Sequence, residues 1–338
     1  MAGDIAFEDL EVGGVSTFGP RRVEREEMLG FARRYDAQPF HTSEEEAART
    51  PVGRLIASGW FNTALQMRIL CDGWVLRAKS RGGIGLDELR WLRPVVEGDI
   101  LSVRQTIVDK RLSKSMPGIG LVRVELELLN EGGEAMMRST QTVLIASRDA
   151  PPPSLRPQIA TGEPAPTAPP DDPAAAPRVY DDVEIGRVTD LGTYAFTAER
   201  VIGFARRFDP QPFHLSEAEG AAGPFGALAA SGWQTTAAWM GSLSVRLMRL
   251  ETAGGRPNVS VSPGFRELKW PRPVYAGETI RFATEVEAKR PVASRPGWGL
   301  VSTRNTGWNA RGECVLSFLG SAFWAMRGGG GGTLAPRF

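Results

Sequence analysis

The chain has 338 residues, 42% of them hydrophobic and 23% charged, and its 40 basic side chains are balanced by 39 acidic ones. That near-neutral balance excludes a protein built mainly to hold nucleic acid, which needs a basic excess, and no apolar run reaches the roughly 20 residues of a membrane span. Two cysteines, Cys71 and Cys314, are too few for a disulfide framework in a chain this long, so a reducing, cytoplasmic setting is expected.

The opening stretch, MAGDIAFEDLEVGG, is acidic and is not read as a signal peptide. Within 24–35, Met28, Phe31, Ala32 and Tyr35 recur at helical spacing, which predicts an amphipathic helix. Gln38 precedes Pro39 and is pushed out of the helical region, so that helix must end near residue 36. Pro39 is expected to stiffen an extended bend leading to His41. A small acidic helix follows, with Ser43 as its candidate N-cap. A longer helix, apolar on most sides, begins near Ser58, and such a helix is enclosed by other structure. After about residue 86 the period changes from 3.6 to 2. Leu101, Val103, Gln105 and Ile107 alternate with polar neighbours, as do Val122, Val124, Leu126 and Leu128, and another strand is expected over Met137 to Ala146. Alternation implies antiparallel sheet with one packed face.

Residues 149–178 contain ten prolines and no aromatic, so this stretch reads as an extended linker with too little apolar area to fold. Beyond it the pattern returns. FARRYDAQPFH at 31–41 reappears as FARRFDPQPFH at 204–214, and ASGW at 57–60 as ASGW at 230–233, both at an offset of 173. DLEVGG at 9–14 resembles DVEIGR at 182–187, and DELRWLRPVVEGD at 87–99 answers RELKWPRPVYAGE at 266–278, now at an offset of 179. Val201, Phe204, Ala205 and Phe208 repeat the first helix, Ser216 the acidic helix start and Ser231 the long helix start. Strands are expected over 280–286 and 313–325. Duplication and fusion account for this order of blocks. The expected domains are 1–148 and 179–327, joined by the linker 149–178 and followed by a Gly-rich tail at 328–338. In each, a sheet wraps one helix, and the two sheets join edge to edge.

The chain has only two histidines, His41 and His214. They hold duplicate positions, each five residues after an aspartate, Asp36 or Asp209. A carboxylate and an imidazole in one small volume position a water and move protons near neutral pH; pinning of the turn is the structural alternative. Ser58-Gly59 and Ser231-Gly232 open the long helices. Glycine there permits close approach of a ligand, and first-turn amides stabilise an oxyanion; a plain helix start with a serine N-cap is the alternative. No metal site is expected, since two distant histidines and two cysteines do not make a zinc set. Cys71 and Cys314 are unmatched in the repeat, which leaves a cysteine nucleophile unsupported. No phosphate loop or GxSxG elbow occurs. Thirty-five of the basic residues are arginine, which suits bidentate contacts to phosphate or carboxylate; genomic composition bias is the alternative reading. The duplicated pairs Trp60/Trp233 and Trp91/Trp270 read as structural parts of the repeat.

YDAQPFH and FDPQPFH resemble the D-x-x-P-x-H signature of the MaoC-like dehydratases, the family that includes the (R)-specific type-2 enoyl-CoA hydratases. PVGRLIASGW and PFGALAASGW resemble that family's approach to its central helix. The resemblance implies an α+β double hot-dog fold, each half a curved antiparallel sheet around a long central helix, paired within one chain. Further homo-oligomerisation stays open. It implies a hydro-lyase that adds water reversibly to trans-2-enoyl thioesters of CoA or acyl carrier protein, giving (R)-3-hydroxyacyl thioesters. Catalytic dyads fall on Asp36–His41 and Asp209–His214, and the oxyanion positions on Ser58, Gly59, Ser231 and Gly232. The substrate is an acyl-CoA thioester and no cofactor is implied; neither nucleic acid nor membrane is a partner. A hot-dog thioesterase and a non-catalytic acyl-thioester binder are the other readings. Many double members keep one dyad, whereas this chain keeps both; if one half has become structural, the first is expected. Arg54 stands where the family often has a small residue, and either obstructs a tunnel or contacts a CoA phosphate.

Overall fold

The computed structural model describes residues 5–50, 53–152, 156–169 and 171–329. The N-terminal half runs β1 (Val15–Arg22), α1 (Arg25–Tyr35), α2 (Pro39–Thr42), α3 (Glu44–Ala48), α4 (Gly59–Gly73), β2 (Ser80–Trp91), β3 (Ile100–Leu112), β4 (Ile119–Leu129) and β5 (Ala135–Ala146). The C-terminal half repeats it with β6 (Val188–Ala195), α5 (Ala198–Phe208), α6 (Glu217–Ala222), α7 (Gly232–Thr252), β7 (Gly264–Lys269), β8 (Thr279–Pro291), β9 (Trp298–Trp308) and β10 (Cys314–Ala325). The helical stripe of α1, with Met28, Phe31, Ala32 and Tyr35, is buried, and so is its counterpart on α5. Ser43 and Ser216 cap α3 and α6, accepting from the backbone N–H of Glu46 and Glu219. Pro39 starts the short helix α2 rather than extending a bend, because its fixed φ and missing N–H suit a first helical position.

All ten strands form one antiparallel sheet in the order β1-β3-β4-β5-β2-β7-β10-β9-β8-β6. The halves meet where β2 pairs with β7 from Gly85↔Lys269 to Arg90↔Gly264. Gly85 and Gly264 stand at the two ends of that joint with φ +145°. A Cβ on either would sit 2.0 Å from a carbonyl oxygen across the seam, of Leu268 or Leu89. Glycine is therefore what lets the two edges close into one sheet. Among the described residues the continuous sheet has β1 and β6 as its outer edges, in line with the double hot-dog expectation.

Helices α4 and α7 lie in the concave faces and carry core side chains such as Phe61, Leu65, Trp233 and Leu250. Each half also packs across the divide, α1 against α7 and α5 against α4. Gly241 stands at the first contact, where a Cβ would lie 3.4 Å from the Arg34 carbonyl oxygen, an ordinary contact. At the equivalent place on α4, Arg68 Nη1 donates to the Arg206 carbonyl at the end of α5 (2.9 Å). No helix among the described residues is long and apolar enough to cross a membrane.

The proline-rich connection departs from the expectation of a segment with nothing to bury. Its described residues dock on the C-terminal half. Ala160 is buried and its N–H donates to Glu278 Oε1 (2.6 Å). Asp171 forms a two-pronged ion pair with Arg246 of α7 (2.7 and 3.2 Å), and Ala176 packs on Leu247 and Leu250. Polar anchoring supplies what the composition lacks in apolar area. Residues 330–338 of the expected tail lie outside the described residues.

Candidate active site

Each dyad is assembled by the end of one helix and the start of another. Asp36 is the residue after α1, and its N–H still donates to Ala32 O; Asp209 ends α5 in the same conformation. The chain then reverses through Gln38 or Gln211, whose N–H donates to the aspartate carbonyl at 2.8 Å, and the proline-led turn presents the histidine. His41 Nε2 lies 3.4 Å from Asp36 Oδ2, and His214 Nε2 lies 3.6 Å from Asp209 Oδ2. All four side chains are buried.

Second partners fix both rings. His41 Nδ1 is 2.9 Å from Ile56 O, and His214 Nδ1 is 2.6 Å from Ala229 O. A carbonyl only accepts, so Nδ1 carries the proton and the Nε2 lone pair faces the carboxylate. Two acceptors facing each other at this separation call for a shared donor, and a water lying beside the pair, bonded to both at about 2.8 Å, fits. Burial pulls the His214 imidazole below its usual value of 6.5, against the opposing influence of Asp209 and of the Ala229 carbonyl. That favours the neutral ring, whose Nε2 is free to accept a proton.

The carboxylates are held just as closely. Ser58 Oγ donates to Asp36 Oδ2 (2.6 Å) and Gln38 Nε2 to Oδ1 (2.9 Å); Ser231 and Gln211 do the same for Asp209 (2.7 and 2.9 Å). A further donor comes from the opposite half. Ser244 on α7 points to Asp36 Oδ1 (3.4 Å), and Cys71 on α4 to Asp209 Oδ1 (3.5 Å). Cys71 and Ser244 are 173 residues apart, the offset of the repeat, so Cys71 is matched after all, by serine. Burial, then the adjacent Asp209 charge, pushes the Cys71 thiol well above its ordinary range, which argues against a thiolate nucleophile. Sequence reasoning missed both reaching residues. The offset was the available signal, but the contact exists only because α1 packs on α7 and α5 on α4.

The helix starts are also paired structures. Ser58 caps α4 by accepting from Trp60 N–H (3.2 Å) while giving its own proton to Asp36; Ser231 does both for α7. Gly59 and Gly232 line the cavities. The close approach they permit is by tryptophan. A Cβ on Gly59 would lie 2.5 Å from the Trp91 ring, and one on Gly232 2.6 Å from Trp270. Trp91 Nε1 also donates to Gly59 O (3.0 Å). With Trp60 N–H taken by Ser58 and Asn62 N–H by the Ser58 carbonyl, the Gly59 and Phe61 amides remain at the start of α4; at α7, where Trp233 and Gln234 N–H are taken by Ser231, the Gly232 amide remains.

Two cavities reach the two dyads. The first, 280 Å³, holds Asp36, His41 and Gly59 at one wall and continues over α7 into the concave face of the C-terminal half, past Met240, Leu243 and Phe318. The second, 190 Å³, joins Asp209, His214 and Gly232 to Met67, Leu70 and Trp74 of the N-terminal half. Each site thus takes its dyad from one half and its bed from the other. The larger of the two cavities belongs to the first dyad, and both dyads open on one. Trp74 fills the second cavity at the position that Leu247 takes in the first. Arg54 is exposed and lines neither cavity, so it obstructs neither.

The MaoC-like domain family matches residues 11–127 and 182–307, once in each half. Over 105 residues the chain is 33% identical to the 3-hydroxybutyryl-CoA dehydratase of Methylorubrum extorquens, covering 30% of this chain and 64% of that protein. Over 160 residues it is 28% identical to the mesaconyl-CoA hydratase of Cereibacter sphaeroides, covering 45% and 44%. The chain therefore spans less than two thirds of the length of these curated relatives. Among solved structures, a MaoC domain protein from Chloroflexus aurantiacus superposes with a TM-score of 0.74 at 18% identity, covering 96% of this chain and 98% of the other. A double hot-dog protein from Mycobacterium tuberculosis gives 0.70 at 16% identity, covering 94% and 97%. These two likenesses speak to the fold, the matched domains to descent. With one matched domain in each half and the continuous sheet joining them, the chain belongs to the MaoC-like dehydratase family, in its tandem double hot-dog form.

Proposed function

We propose that the chain is a hydro-lyase that adds water reversibly to trans-2-enoyl thioesters of coenzyme A, giving (R)-3-hydroxyacyl thioesters. The observation that carries this reading is the pair of buried carboxylate–imidazole gaps, 3.4 and 3.6 Å wide, each opening on a cavity beside a helix start. A mostly apolar bed suits an acyl chain. Free Cys71 and Cys314 thiols suit a reducing, cytoplasmic setting. The halves 1–148 and 179–327 act as one unit, since neither site is complete in one of them.

The chemistry follows from the partners of each group. The water shared by Asp36 Oδ2 and His41 Nε2 is oriented by both lone pairs. Its oxygen attacks the β-carbon, the C–O bond forms as the π pair moves toward the α-carbon, and charge builds on the thioester oxygen. Gly59 N–H at the start of α4 faces that oxygen in this reading, and removing a donor of this kind costs about 3–4 kcal/mol in other enzymes. The dyad takes the water proton and returns a proton to the α-carbon, so the overall change is addition of water. Ser58, Gln38 and Ser244 keep the carboxylate from turning, and the Ile56 carbonyl keeps the ring tautomer. Asp209, His214, Ser231, Gln211, Gly232 and Cys71 take the same parts at the second site.

The test is the product formed from crotonyl-CoA. Hydration yields (R)-3-hydroxybutyryl-CoA with the thioester intact. Release of free CoA thiol in its place identifies a thioesterase, and tight binding without conversion, for longer and branched enoyl thioesters and their carrier-protein forms as well, identifies a binding protein.

A further inference from the structure

The two concave faces are built to one register, so they compare position by position at an offset of 179. β3 and β4 pair Gln105 with Leu126 and Ile107 with Val124; β8 and β9 pair Thr284 with Asn305 and Val286 with Thr303. Where the N-terminal half carries Val124, Leu126, Leu128 and Gln141, the C-terminal half carries Thr303, Asn305, Gly307 and Gly320. Thr303, Asn305 and Gly320 line the first cavity, so short polar groups and a glycine stand there in place of bulk, while the room at Gly307 is taken by the Phe282 ring. Gly320 belongs to the exchange: a Cβ there would stand 3.0 Å from Asn305 Nδ2. Asn305 is buried, and its Nδ2 donates to Thr303 O (3.0 Å) and Thr303 Oγ1 (3.2 Å). Among the described residues its Oδ1 is approached by the Thr303 hydroxyl, at 3.4 Å.

Two residues that line the same cavity, Asn62 and Trp239, each carry a buried polar atom without a hydrogen-bond partner among the described residues, Asn62 Oδ1 and Trp239 Nε1. The residues are 3% and 6% exposed. One atom lacks a donor and the other lacks an acceptor. A plain alkyl chain filling this space would displace any water and leave both unpaired, which is unfavourable for buried polar groups. A hydroxyl is donor and acceptor at once.

We propose that the Asp36–His41 site takes acyl thioesters whose chain carries a hydroxyl beyond the reacting carbons, received by Asn62, Trp239 and the Thr303–Asn305 floor. The proposal rests on the enoyl-thioester reading above and specifies its acyl class. The second site is built differently, with the long side chains of Gln105 and Gln141 and the Trp74 ring taking up the bed.

The test uses the full chain carrying Asp209→Asn and His214→Ala, so that only the first site turns over substrate. Its probes are trans-2-octenoyl-CoA and the derivatives hydroxylated at each carbon from the fifth to the eighth. The saturated octanoyl-CoA counterparts, which do not react, are titrated by calorimetry in parallel. At least one hydroxylated chain is expected to exceed the plain chain about tenfold or more in kcat/KM and in affinity, because a site built to hydrogen-bond a hydroxyl rejects the analogue lacking it. Asn62→Leu and Thr303→Val, which keep shape, should each shrink that ratio. Equal or better use and binding of the plain chain, or a ratio that neither substitution moves, overturns the proposal. A hydroxyl preference in the saturated series with no hydration of any enoyl ester supports this assignment and sinks the hydratase reading; hydration of every chain without preference does the reverse. Calorimetry sees both sites, so the first site's share is the part of the binding preference that Asn62→Leu removes, and the same difference is read on the wild-type chain should the double variant fail to fold.

Discussion

Replacing Ser58 tests whether Asp36 is held for chemistry or merely buried. Ser58 is fully buried, and its hydroxyl donates to Asp36 Oδ2 at 2.6 Å while accepting from Trp60 N–H at 3.2 Å. The first bond has a charged acceptor and is worth about 1.5–3 kcal/mol. If that bond acts through the transition state, its loss lowers kcat/KM about 10- to 150-fold. The second bond is an N-cap. Serine to alanine at an N-cap costs about 1 kcal/mol of stability, and serine to glycine only a few tenths. Ser58→Ala and Ser58→Gly should therefore lose activity alike but differ in stability, with glycine melting closer to the parent. The assay is enoyl-CoA hydration in the Asp209→Asn/His214→Ala background, with urea unfolding alongside. Both variants keeping kcat/KM within about threefold of their parent, a loss well below 1 kcal/mol, would refute the idea that the serine orients the carboxylate.

Three other outcomes are expected. The folded pKa of His214 lies below 6.5. Above that value both folded and unfolded rings are neutral; as pH falls through it the unfolded chain binds a proton that the folded site refuses, so stability declines until the folded ring also protonates. Urea midpoints at about pH 7.5 and about pH 5.5 should diverge more for the parent than for His214→Gln, and an equal divergence contradicts the placement. Gly85→Ala forces a Cβ to 2.0 Å from Leu268 O at φ +145° and should cost about 3 kcal/mol or more. Gly203→Ala, on α5 with nothing within 4 Å of the new Cβ, should be neutral or stabilising by about 0.4–1 kcal/mol, and unfolding midpoints decide both. Cys71 should resist alkylation at about pH 8 in the folded chain and react once unfolded, because burial both covers the thiol and disfavours its thiolate; mass spectrometry showing rapid native labelling would contradict its position against Asp209.

The dyads were legible because they are local. Asp36 and His41 lie five residues apart around one proline-led turn, and their duplication removed the usual ambiguity of a single histidine. The long helices and the alternating strands were legible for the same reason, each being set by a short-range period. β1 and β6 were not: Val15–Arg22 is mostly exposed, so no alternation marks it as a strand. The docking of the proline-rich segment depends on Arg246 and Glu278, more than 70 residues away in sequence, and composition cannot report such partners. The reach of Ser244 to Asp36 spans 208 residues and follows from helix packing alone. The glycine that opens each long helix is plain in the letters, but its reason, the Trp91 or Trp270 ring lying on it, is set by the fold. The exchange of Leu126 and Gln141 for Asn305 and Gly320 was visible in the letters, yet it means nothing until strand register aligns those positions on one concave face.

The central claim is that both carboxylate–imidazole pairs hold the attacking water. Rates of trans-2-enoyl-CoA hydration for His41→Ala, His214→Ala and the double variant test it directly. Each single variant should retain the turnover of the other site, and the double variant, folded to the same extent, should lose hydration altogether. A double variant that hydrates at the parent rate would place the reaction somewhere other than these two gaps.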